Sequence, residues 1–207
     1  MYVGNLQLER GAMKFTAAAV AVFLVLPVFA GELPSGFKEA LRRALDADAA
    51  WTMTRTIGSS PLKLKLEGRV SCAKGRGIVW SGEKPFKMRI SMTADEMRFS
   101  GPEGERTVPS SEMSHYKDVQ SAIDGFLAGR DAPFGELFEI SPEESASGWK
   151  VKFTPKRSDM RHVVNFVSVS GVETVDRVEF CYASGERAVF EFRETGRGTH
   201  ALWKGGE

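Results

Sequence analysis

Cysteine is scarce in this chain of 207 residues, which has only two. Two are too few for a small disulfide scaffold, and Cys72 and Cys181 lack the spacing of a zinc site. Histidine is almost as rare: His115, His162 and His200 are far apart and have no ligand-spaced companions, so no metal is expected. Charge of one sign is missing too. Lys and Arg total 28 against 27 Asp and Glu, a net charge of +1. That balance creates no long-range field for nucleic acid or anionic lipid, and no basic patch is interleaved with aromatics. His-Glu-x-x-His, Gly-x-Ser-x-Gly and the phosphate-cradling Gly-x-x-x-x-Gly-Lys are all absent. Gly75-Arg76-Gly77 has no third glycine and reads as a tight turn, while Glu143-Glu144 reads as a solvated loop. No cofactor and no catalysis are expected. An apolar fraction of 42% with 27% charged residues is ordinary globular composition.

Long hydrophobic runs are limited to one. Ala17 to Ala30 is apolar throughout, broken only by Pro27, and shorter than the roughly twenty residues that span a bilayer. Lys14 precedes it and Val28-Phe29-Ala30 ends it in small residues. This is the pattern of a secretory signal peptide over residues 1–30, with Met13 as a candidate true start. The alternative is an N-terminal membrane anchor. Cleavage near Ala30 removes Glu9, Arg10 and Lys14, leaving a balanced chain over residues 31–207. An exported protein meets an oxidising compartment. A Cys72–Cys181 disulfide and two buried free thiols then stand level as readings.

The remainder is mostly strand. Ser35 to Asp48 aligns Phe37, Ala40, Leu41, Ala44 and Leu45 at helical spacing, with Ser35 as N-cap. His115 to Ala128 aligns Tyr116, Val119, Ile123, Phe126 and Leu127 and ends at Gly129. Between and after these lie eleven strand candidates. Leu62, Leu64, Leu66, Val70 and Cys72, for example, alternate with Lys63, Lys65, Glu67, Arg69 and Ser71. Ala183-Ser184-Gly185-Glu186 reads as a hairpin turn, and the chain from about 194 onward reads as loose. No linker divides the chain, so one domain is expected. Two helices cannot cover so wide an antiparallel sheet, but they can plug a half-closed barrel. The expected fold is mainly β: an unclosed antiparallel half-barrel of about eleven strands with a helical lid.

Several landmarks occur in order. They are Glu67-Gly68-Arg69, Gly77-Ile78-Val79-Trp80 with Lys84-Pro85-Phe86, Met97-Arg98-Phe99, Phe153-Thr154-Pro155-Lys156, and the hairpin Val178 to Phe192 turning at Gly185. In this the chain resembles the periplasmic outer-membrane lipoprotein carriers of the LolA family. The resemblance implies an unclosed eleven-stranded barrel that carries acyl chains across the periplasm, from an inner-membrane donor complex to an outer-membrane acceptor, as a monomer. The family has an Arg-Pro pair before the strand carrying its tryptophan, and that arginine latches the lid. Here the stretch reads Lys74-Gly75-Arg76-Gly77, which makes Arg76 the latch candidate.

The residues agree in kind. Met88, Ile90 and Met92 share one face of a strand, with Met53 and Met97 on its neighbours. Methionine is flexible and polarizable and suits alkyl chains of variable shape. Trp51, Leu64, Leu66, Ile78, Trp80, Phe99, Phe153, Phe166 and Phe190 complete the expected cavity lining. A lipid-sensing regulator that uses the same half-barrel to bind a membrane protein is the second reading.

Overall fold

The computed structural model describes residues 33–56, 63–73, 76–112, 137–143, 147–197 and 200–203. The apolar leader and the helix expected over His115–Ala128 lie outside the described residues. Helix α1 (Ser35–Ala44) precedes β1 (Ala47–Thr56), β2 (Lys63–Ala73), β3 (Gly77–Lys84), β4 (Met88–Met92), β5 (Glu96–Gly101) and β6 (Gly104–Pro109). Then come β7 (Phe138–Glu143), β8 (Trp149–Pro155), the one-turn helix α2 (Ser158–Arg161), β9 (Val164–Gly171), β10 (Val175–Tyr182) and β11 (Arg187–Arg197).

All eleven strands belong to one antiparallel sheet in the order β6-β5-β4-β3-β2-β1-β11-β10-β9-β8-β7. Two meanders are thus joined where β1 pairs with both β2 and β11. Strands β6 and β7 are the two ends of this order and do not pair with each other, so the sheet is unclosed. It is also strongly curled. Trp80 on β3 and Phe190 on β11 are three strands apart, about 14 Å on a flat sheet, yet their ring centroids are 5.9 Å apart. Gly68 permits part of this: a Cβ there would lie 2.7 Å from the Trp51 ring, so the indole lies across β2 where any side chain would lift it away.

Two boundaries differ from the sequence reading. Helix α1 stops at Ala44, with Pro34 at the N-cap position, and Ala47 and Asp48 already belong to β1. Pairing with Gly196 and Arg197 on β11 and with Ser71 on β2 draws these residues into the sheet. Strand β11 runs on to Arg197, past the start of the stretch that reads as loose, and residues 200–203 lie against the outer face of the sheet. There the Ala201 N–H donates to Asp48 Oδ2 at 3.2 Å, and Arg89 Nη2 donates to the Leu202 carbonyl at 2.6 Å. His200 Nε2 lies 3.4 Å from Asp46 Oδ1. By alternation Asp48, Ser71 and Val79 face outward in one cross-strand row, yet all three are buried.

Candidate functional site

Inside the curl, apolar side chains from every strand except β6 meet in one cluster with Phe37 and Leu41 of α1. Helix α1 packs against β1, β8, β9 and β10. Its first half is clamped. Phe37 is fully buried and meets Trp149 edge-on at 5.2 Å and Phe153 at 5.9 Å. Gly36 allows that approach, since a Cβ there would sit 2.8 Å from the Trp149 ring. The second half of the helix does not pack as tightly. Leu41, Ala44 and Leu45 roof a cavity of about 80 Å³. Its floor is Ala47 and Ala49 of β1, Val70 and Cys72 of β2, Trp80 of β3 and Phe192 of β11. Thr174, Val175 and Glu194 form the rim.

Small side chains create this space: four of the lining residues are alanine or cysteine at positions where their neighbours are leucine, valine or aromatic. The lining is electrically quiet as well. Burial pushes the Cys72 thiol up to about 12, and the carboxylates of Asp48 and Asp46 add to the effect, so the thiol is neutral at any ordinary pH. The one charged lining residue, Glu194, is held at the rim by Arg197 at 2.7 Å. Such a lining offers an apolar guest mainly dispersion contacts.

The opposite end of the interior is shut. Arg55 donates to Glu186 Oε2 through Nη2 at 2.6 Å and Nε at 3.2 Å, and its guanidinium lies 5.4 Å above the Tyr182 ring. Phe180, fully buried, stacks on Tyr182.

The expected lining residues divide accordingly. Trp80 reaches the cavity. Trp51, Met53, Leu66, Ile78, Met88, Ile90, Met92, Met97, Phe153 and Phe190 are buried in the packed cluster, with Leu64 and Phe99 half-buried against it. They face the interior, as the alternation predicts, but are matched by one another. Phe166 is misplaced by the sequence reading. It pairs with Cys181 one residue out of step with inward-facing Val167, so it lies on the outer face, where Lys152 Nζ sits 4.7 Å from its ring centre. Cys72 and Cys181 are both free and buried. Strands β1 and β11 separate them, and they sit level with opposite ends of β1, too far apart for the roughly 7 Å between alpha carbons that a bridge needs. Arg76 is exposed in the β2–β3 turn. Of the cavity's other lining residues, Leu41, Ala44 and Leu45 were expected only on the apolar face of the helix and Val70 and Cys72 only on a strand, while Ala47, Ala49, Thr174, Val175, Phe192 and Glu194 were not anticipated as lining. The signal available for them was the run of alanines at the helix–strand junction.

Among the described residues, no group of three His, Cys, Asp or Glu could hold a metal ion. No described helix is long and apolar enough to cross a membrane. No family model and no curated protein sequence matches the chain. Among solved structures it is similar to a LolA superfamily protein from Nitrosomonas europaea, at 10% identity and a TM-score of 0.42 over 78% of this chain and 90% of that one. It is also similar to an outer membrane lipoprotein-sorting protein domain from Vibrio parahaemolyticus, at 11% identity and 0.39 over 77% and 92%. A DUF1329 family protein from Desulfovibrio piger follows at 12% and 0.38, over 77% and 90%. At such identities, what the chain binds has to be argued from its own side chains.

Proposed function

We propose that this protein is a periplasmic carrier that shelters the acyl chains of a lipid or lipoprotein and takes them toward the outer membrane without chemistry on the cargo. The observation that carries the reading is the apolar cavity between the second half of α1 and the alanines of β1. Its 80 Å³ is well below the roughly 300–1,000 Å³ of sites for drug-sized ligands, so it takes a chain end as it stands. A longer chain requires the second half of α1 to lift. Exposing Leu41 and Leu45 costs about 3–6 kcal/mol, whereas withdrawing a sixteen-carbon chain from water is worth on the order of 12 kcal/mol. The guest therefore outweighs the roof it displaces. The clamp at Phe37 keeps the helix attached while its other end moves. An inner-membrane donor and an outer-membrane acceptor complete the route.

Native mass spectrometry of the protein purified from the periplasm tests this directly: a co-purified acyl lipid is expected. Ala49→Leu, which fills the cavity, should weaken binding of a fluorescent long-chain fatty acid at least tenfold. Undiminished binding by that variant would place the lipid elsewhere.

A further inference from the structure

The segment from His200 to Trp203 is attached to the same few residues that form the hinge of α1. Leu45 and Asp46 connect the helix to β1. Asp46 lies against His200, and Asp48 accepts from Ala201, while Ala47 and Ala49, between and beside them, point the other way and floor the cavity. One face of residues 46–49 is therefore gripped by the returning chain, and the other face is cavity wall. The far anchor of the grip is remote from the cavity: Arg89 on β4 holds the Leu202 carbonyl. Ser71 and Val79 lie between the two anchors and are buried.

The grip is poorly satisfied. His200 takes a φ of +46°, left-handed space that a residue with a Cβ seldom occupies. His200 Nδ1, Trp203 Nε1 and Ser71 Oγ are buried without a hydrogen-bond partner. Among the described residues, this segment is held against the sheet by two hydrogen bonds from its backbone, the contact of His200 with Asp46 and the apolar packing around them.

We propose that residues 200–203 act as a releasable strap that fixes the α1–β1 hinge from the outer face, so that freeing the strap lets the second half of α1 open over the cavity. The strap thus regulates the site proposed above for acyl chains and rests on that reading for its purpose, though not for its mechanics. Anything that competes for Arg89 or Asp48, such as a partner's backbone laid on the same outer row, would open the cavity from behind.

The two thiols make the test. Cys72 floors the cavity, whereas Cys181 is buried on the outer face of β10, away from the hinge. In the full-length protein without lipid, N-ethylmaleimide labelling should be at least tenfold faster at Cys72 in Arg89→Ala and in Asp48→Ala, with Cys181 unchanged. Asp48→Asn removes the same charge beside Cys72 but keeps an acceptor for the Ala201 N–H, so Asp48→Ala should label at Cys72 at least fivefold faster than Asp48→Asn. Unchanged Cys72 labelling in Arg89→Ala would overturn the proposal, and so would parallel acceleration of both thiols, which signals general loosening. Because labelling needs no lipid, a strap that opens the cavity but leaves fatty-acid uptake at zero would contradict the carrier reading and leave the strap standing.

Discussion

At its first residues β1 lines the cavity with Ala47 and Ala49, and at its last Arg55 joins Glu186 above the Tyr182 ring. The same strand, between the same two neighbours, therefore runs from an under-filled end of the interior to a filled one, and its pairing with β11 shifts by one residue between Asp48 and Ala49, at the under-filled end. That shift bends the strand locally, and side-chain size separates the two ends further. Opposite Ala49 stand Val70 and Glu194, with Cys72 just beyond, whereas the row at Arg55 continues through Ala188 to Phe180, and Tyr182 stacks on that ring. A half-barrel of this kind holds space where small residues face a helix and loses it where aromatic rings close over one another.

The comparison is most easily broken at the shut end. Phe180→Ala removes a fully buried ring from between Phe190 and Tyr182. It should cost about 3–5 kcal/mol by urea unfolding, because packed neighbours relax only partly into the void. A cost under 1 kcal/mol would mean that this end is as loose as the other. Glu186→Ala comes next. Its partner Arg55 is largely buried, so truncation leaves a guanidinium short of an acceptor, and about 1–3 kcal/mol should be lost. A double-mutant cycle with Arg55→Ala should recover much of that loss, which separates the ion pair from simple packing.

At the open end the same kind of measurement should give a smaller and different answer. Ala49→Leu adds bulk where there is room for it, and stability should change by about 1 kcal/mol or less in either direction, even as lipid binding falls. Equal destabilisation by Ala49→Leu and Phe180→Ala would erase the distinction between the two ends.

The strands were legible in the sequence because alternation is local. Lys63 to Cys72 reads outward and inward with no help from tertiary structure, and the inward set is inward. What escaped depended on distant partners. Asp48 reads as the end of a helix until β11 and β2 are there to pair with its neighbours. Phe166 reads as interior because it is a large ring on a strand, and only its pairing with Cys181 gives its parity. The cavity was the least legible feature. Large apolar residues such as Ile90 and Met92 mark the interior, but where many of them meet they fill it, and hollow space is recorded instead by alanines that carry no hydrophobic signal of their own.

A further small effect concerns pH, and it belongs to the cavity floor. In the folded protein the Cys72 thiol is held up to about 12, against about 8.5–9 for an unfolded cysteine. Between those values the unfolded chain has lost a proton that the folded chain keeps. Stability should therefore be unaffected below about pH 8 and should fall as pH rises through 9 and beyond. At pH 10 the loss attributable to this thiol is about 1–2 kcal/mol, since pH 10 lies one to one and a half units above the unfolded value at about 1.36 kcal/mol per unit. Tyr182, at the shut end, shifts the same way. Burial raises it more than Arg55 lowers it, and its contribution starts only near pH 10. Urea unfolding of the parent and of Cys72→Ala at pH 8 and pH 10 separates the two ends: the variant should lose less on going to pH 10. Identical losses would show that water already reaches Cys72, and the cavity would then be an open cleft lacking the dry floor that an acyl chain needs.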